Sequence, residues 1–155
     1  MKIKYKSILR IALLVLILAT LAFIFVQSML PPKKSQAESD KIGEIVGEII
    51  PPETPAGDYV QKNIRKIAHF VEFFILGCEV ALYVIIFIPR IKWALLSLPT
   101  ALLTAFFDES IQIFSKRGPS IKDVWIDFSG FLLASLAFYT VATLIVFIYN
   151  KCKQK

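Results

Sequence analysis

Residues Asp108–Asp127 read DESIQIFSKRGPSIKDVWID, and this stretch sits between two strongly apolar segments. It holds four carboxylates (Asp108, Glu109, Asp123, Asp127), one glutamine and three basic residues. A charged group at the centre of a membrane-spanning helix costs roughly 2.5–3.5 kcal/mol, so such groups sit inside a bundle or at its mouth and mark a functional region. The stretch therefore reads as the polar end of one spanning helix, a short loop, and the polar start of the next.

Working outward, the chain of 155 residues is 56% hydrophobic, with a mean hydropathy of +0.65. A water-soluble domain of this length would expose too much of that surface, so an integral membrane protein is expected. Thirteen phenylalanines against six glycines suit helices packing in lipid better than barrel strands of alternating polarity. Cys78 lies in an apolar segment and Cys152 in the terminal tail, which predicts neither a disulfide nor a thiol metal site.

The pattern predicts one all-α domain over residues 1–155, a four-helix transmembrane bundle with helices at about 8–30, 64–88, 93–114 and 123–149. The uncharged run Ile11–Leu30 is long enough to cross a bilayer. Ser35-Gln36-Ala37 offers a small-x-small signal-peptide site, but Pro31-Pro32 and Lys33-Lys34 intervene, which favours an uncleaved anchor. The outer loop 31–63 contains Ile42, Ile45, Val46, Ile49 and Ile50 at helical spacing behind Ser39. This predicts a short amphipathic helix capped by Ser39, lying on the membrane surface or against the bundle mouth, with a lid as the other role. Pro55-Ala56-Gly57-Asp58, Pro89-Arg90-Ile91-Lys92 and Gly118-Pro119 read as turns, with Trp93 as an interfacial anchor.

Both sides collect equally many basic residues, so orientation follows from the basic N-terminus abutting helix 1 and from which side lacks acidic residues. With both termini cytoplasmic, the inner side collects Lys2, Lys4, Lys6, Arg10, Arg90, Lys92, Lys151, Lys153 and Lys155 with no acidic residue among them. The outer basic residues are instead mixed with carboxylates. Arg65, His69 and Glu72 fall on one face of the second helix, with Glu79 close to that stripe. In an up-and-down bundle, the start of helix 2, the end of helix 3 and the start of helix 4 lie on one side of the membrane. Three polar groups therefore converge on one outward mouth, the way bundles build sites.

The segment Arg65-Lys66-Ile67-Ala68-His69-Phe70-Val71-Glu72-Phe73, followed by Gly77, resembles the VanZ-like family of bacterial membrane proteins. So does the later pattern of Asp108-Glu109, Gln112, Arg117, Asp123-Val124, Asp127 and Gly130. The resemblance runs from helix 2 to the middle of helix 4, and helix 1 adds no motif. It departs from the family at Ile111, where many members have histidine, and at Ala134, where glycine is frequent. The resemblance implies a small multi-pass protein of the bacterial cell membrane, in a family named for a member linked to reduced susceptibility to the glycopeptide teicoplanin. It brings no settled reaction.

Chemically, His69 with Glu72 suits a general acid-base pair, with Asp108 and Glu109 as further catalytic candidates. The competing reading is a hydrogen bond locking two helices together. A hard divalent cation such as Mg2+ would take Asp108, Glu109 and Asp127 as oxygen ligands, against the alternative that these carboxylates pair with Arg65, Lys66, Lys116, Arg117 and Lys122. One histidine and no usable thiol count against zinc. Arg65, Lys66, Gln112, Arg117, Asp123 and Asp127 form the candidate ligand-binding set, the guanidinium of Arg117 suiting a phosphate. Glu79 reads as a protonated, hydrogen-bonded group or part of a proton path. The partners expected are membrane lipid and a lipid-linked cell-wall precursor or glycopeptide target, with no nucleic acid. Two function classes stay open: an envelope protein that binds or modulates such a component, or a membrane-embedded enzyme acting on a phosphorylated lipid headgroup.

Overall fold

In the computed structural model the chain is described at residues 2–89, 92–118 and 120–153, with side chains from residue 5 onward except at residue 94. The expected turns at Pro89–Lys92 and Gly118-Pro119 lie partly outside these residues, as do the side chains of Lys2 and Lys4, and Lys155. The described residues form five helices and no strand: α1 (Lys2–Met29), α2 (Pro32–Ile49), α3 (Pro55–Phe87), α4 (Trp93–Phe114) and α5 (Ile121–Lys153).

Prolines set most of the boundaries. α1 stops ahead of Pro31, and Pro32 opens α2 at a position where its missing N–H costs nothing. α2 then runs 18 residues, so the amphipathic stretch belongs to a longer helix than its isoleucines suggest. Ser39 is not its cap. The residue lies inside the helix and its Oγ donates back to the Ser35 carbonyl at 3.0 Å. α3 likewise starts earlier than the apolar pattern predicts. Thr54 caps it by accepting from the Gly57 N–H at 3.0 Å, and Pro55 fits the first turn, so Pro55–Asp58 is helix rather than turn. An exposed Lys62–Asp58 pair at 2.7 Å lies one turn further on.

Three helices, α1, α3 and α5, are long and apolar enough to cross a membrane. α4 is shorter, at 22 residues, and its last two turns carry Asp108, Glu109 and Gln112, which lower its apolar content. α1 and α3 run antiparallel: Arg10 of α1 donates to the Tyr83 hydroxyl near the end of α3 at 3.0 Å, and Thr20 donates to Glu79 at 2.8 Å. α3 and α5 run parallel and touch backbone to backbone. A Cβ on Gly130 would lie 2.4 Å from the Phe70 carbonyl oxygen, and one on Gly77 would lie 2.5 Å from that of Phe131. Only glycine allows this approach, which brings Phe73, Leu76 and Phe131 together in the core with Ile24, Ala101 and Ala105. Ala134 is fully buried at the same crossing.

Large apolar side chains such as Val15, Leu18, Leu103, Phe106, Val141 and Ile145 point outward and are exposed. Such a surface suits lipid rather than water. At the end of the bundle away from the polar stretch, the Trp93 indole N–H donates to the Ile88 carbonyl at 2.9 Å, and its ring lies 5.0 Å from that of Tyr139. The Tyr139 and Ser97 hydroxyls share a hydrogen bond there.

Candidate functional site

α3 and α5 enter the bundle at the end where α1 and α4 finish, and each helix brings polar side chains to that level. α3 brings Arg65, His69 and Glu72; α4 brings Asp108, Glu109 and Gln112; α5 brings Asp123 and Asp127. Direct contacts join these three helices. The Arg65 guanidinium donates to Gln112 Oε1 at 2.8 Å, and Gln112 Nε2 donates to Asp108 Oδ2 at 2.9 Å. His69 Nδ1 lies 3.7 Å from Asp108 Oδ2 and 3.8 Å from Asp127 Oδ1. Asp108 and Asp127 are almost wholly buried, at 0% and 1% exposure.

The cluster is unusual in its pairing. Among the described residues, no lysine or arginine forms an ion pair with Asp108, Glu109, Asp123 or Asp127; the basic partner of the buried aspartates is His69 alone. Asp108 is held by Gln112 and by Ser28, whose hydroxyl donates to Oδ1 at 2.5 Å. Asp127 has no hydrogen bond to either oxygen among the described residues, and His69 Nδ1 has none either. Glu109 turns away from the cluster and accepts the Ser120 N–H beyond the loop. His69 and Glu72 share no bond among the described residues, and Glu72 Oε2 is buried without a partner there. The close neighbours of His69 are thus the two aspartates rather than the glutamate one turn along its own helix.

Arg117 is an inner support rather than a surface cation. It is 6% exposed, and its guanidinium donates to the Gln27 carbonyl of α1 at 3.1 Å. Burial, followed by the like charge of Arg65, holds this loop guanidinium below its ordinary pKa, while Asp108, Glu109 and Glu72 oppose that shift. Lys66 is exposed and Asp123 half-buried. Both line a cavity of about 240 Å³ with Lys62, Arg65, His69 and Asp127. A smaller space of about 60 Å³ lies beneath α2, between Ser35 and Ser39 on one side and Arg65, His69 and Glu72 on the other. α2 is tied down over it by the Gln61 side-chain amide, which donates to the Gly43 carbonyl at 2.6 Å.

α1, which adds no motif to the sequence pattern, supplies Ser28 to Asp108, the Gln27 carbonyl to Arg117 and Thr20 to Glu79. Its Ser28 carbonyl also accepts from Ser115 in the α4–α5 loop at 3.0 Å. The one available signal was Gln27-Ser28, a polar pair closing an otherwise apolar run.

Helices of spanning length around a buried charged cluster define a membrane protein with an internal polar site. The chain belongs to the VanZ/LLP1 family, whose model matches residues 12–146, from α1 to near the end of α5. No curated protein and no solved structure matches it.

Proposed function

We propose that this chain is a multi-pass protein of the bacterial cell envelope in which α4 also crosses the membrane, placing both termini in the cytoplasm and the polar mouth outside. In that mouth it binds the phosphate-bearing headgroup of a lipid-linked or cell-wall component. The observation that carries this reading is the cavity of about 240 Å³ where Lys62, Arg65 and Lys66 outnumber the carboxylates Asp123 and Asp127 beside His69. Three cations round a concave space of that size suit a phosphate, with arginine able to grip two of its oxygens and lysine adding point charge. The anion-binding role thus rests on Arg65 and Lys66, while Arg117 lines the separate, smaller space beneath α2. Through such binding the protein modulates access to a cell-wall component, which is the route by which a VanZ-like protein would lower susceptibility to teicoplanin.

The test uses the full chain in nanodiscs with a polyprenyl phosphate as probe. The wild type is expected to bind it, and Arg65→Ala with Lys66→Ala to weaken binding at least tenfold while the protein elutes unchanged. Equal binding by that variant overturns the reading. The enzymatic alternative is favoured by one observation, the approach of His69 Nδ1 to Asp108 at 3.7 Å. It requires that Asp108→Asn abolish turnover of a phosphorylated lipid while leaving folded, inserted protein.

A further inference from the structure

We infer that His69, Asp108 and Asp127 form a binding site for one divalent transition-metal ion, of the Mn2+ or Zn2+ class. One ligand atom from each of the three residues lies within 4.8 Å of the other two. The His69 Nδ1 separations of 3.7 and 3.8 Å from the two carboxylate oxygens are too long for hydrogen bonds. They are close to the spacing of neighbouring ligands around one ion with bonds of about 2.0–2.2 Å. A triangle of one nitrogen and two oxygen donors is what the geometry presents.

A second observation points to a ligand within that triangle. Asp127 is 1% exposed, its Oδ1 faces His69, and neither of its oxygens has a hydrogen-bond partner among the described residues. His69 Nδ1, buried beside it, is in the same position. Burying a carboxylate without a partner is costly, and native structures rarely leave one so. Among the described residues Arg65 bonds the cluster through Gln112, and Arg117 gives one N–H to the Gln27 carbonyl while its Nε has no partner. A dication bound by two carboxylates would cancel their charge without requiring either arginine to move.

The surroundings are arranged as a metal site requires. Ser28 and Gln112 each donate to Asp108, fixing its carboxylate with Oδ2 3.7 Å from His69 Nδ1. Glu109, an oxygen ligand in the sequence-based set, is drawn off by the Ser120 N–H, and His69 takes its place. That exchange changes the class of ion. One imidazole with two carboxylates suits Mn2+, Fe2+ or Zn2+ better than the all-oxygen set expected for Mg2+. His69 and Asp127 also line the cation-bordered cavity, so the ion's open positions face a space where another oxygen ligand fits. The metal site stands on its own geometry and survives failure of the phosphate reading.

The experiment uses the purified full chain in detergent, stripped with a chelator and titrated with MnCl2 or ZnCl2 alone. The readouts are metal per chain after desalting, Mn2+ electron paramagnetic resonance and the melting temperature. The expected result is one ion per chain and a melting temperature raised by metal, with both effects weakened at least tenfold in metal affinity by His69→Gln and by Asp127→Asn. Asp58→Asn, which alters only the exposed pair with Lys62, is expected to bind like the wild type. Should Asp127→Asn fail to fold, His69→Gln decides. Folded wild-type protein that binds no stoichiometric ion, as a proton shared in the cluster would produce, overturns the inference; so does affinity unchanged in His69→Gln.

Discussion

At the scale of single residues, the site depends on side chains whose importance comes from their partners. Ser28 donates to a carboxylate that is fully buried, so Ser28→Ala leaves Asp108 Oδ1 without that donor. A hydrogen bond to a charged group contributes about 1.5–3 kcal/mol, and the variant is expected to lower stability by a loss of that order in thermal unfolding of the detergent-solubilised chain. His69 and Asp127 act on one centre, so the cost of combining His69→Gln with Asp127→Asn is expected to fall short of the summed single costs by about 0.5–3 kcal/mol, as a double-mutant cycle would measure. Strict additivity would mean that the two side chains work apart. The sequence revealed His69, Asp108 and Asp127 because ionisable groups are rare and costly in apolar helices. It did not reveal Ser28 or Thr20, because an isolated hydroxyl in an apolar run can satisfy itself on its own helix, and only a neighbour brought close by folding shows otherwise. The same limit made Glu72 look like the partner of His69: helical spacing records that two residues share a face, while distances to α4 and α5 come only from tertiary packing.

At the scale of elements, α3 is the axis of the site, and its parallel crossing with α5 sets the distance between His69 and Asp127. Gly77 and Gly130 allow that crossing. Gly130→Ala would put a methyl carbon 2.4 Å from the Phe70 carbonyl oxygen, where neither backbone has room to yield. Overpacking of this kind costs about 1–3 kcal/mol, so a clear fall in melting temperature is expected, with binding at the site weakened as α5 is displaced. α2 presents the opposite case. It rests on α3 through Gln61, with Ile45 and Ile49 largely exposed. Gln61→Ala is expected to speed hydrogen exchange across residues 32–49 while leaving α3 and α5 protected. Unchanged exchange in α2 would show that Gln61 does not hold it. The amphipathic character of α2 was legible from its isoleucines. Its true beginning was not, nor that of α3, because in both the first turn is set by proline and cap chemistry rather than by apolar periodicity. The polar end of α4 has a similar explanation: Asp108 and Gln112 are buried in the hydrogen bonds of the site rather than facing an apolar surface.

At the scale of the whole molecule, the proposed binding of a cell-wall component requires that the end holding His69, Asp108 and Asp127 face outward. The arrangement of helix ends follows from the contacts, since Ser28, Arg65, Gln112 and Asp127 meet at one level while Arg10 and Tyr83 meet at the other. The proposed orientation puts the basic termini in the cytoplasm and, outside, a mouth where lysines and arginines are mixed with carboxylates. The chain carries its own reporter, the exposed Cys152 at the end of α5 away from the site, and the exposed Glu53, just before α3, marks the site end. With Cys78 replaced by serine throughout, intact cells would be treated with an impermeant maleimide. Glu53→Cys, in a chain that also carries Cys152→Ser, is expected to be labelled from outside, and native Cys152 only after the membrane is opened. Labelling of Cys152 from outside, with Glu53→Cys protected, would place the cluster on the cytoplasmic face and contradict an outward-facing binding site.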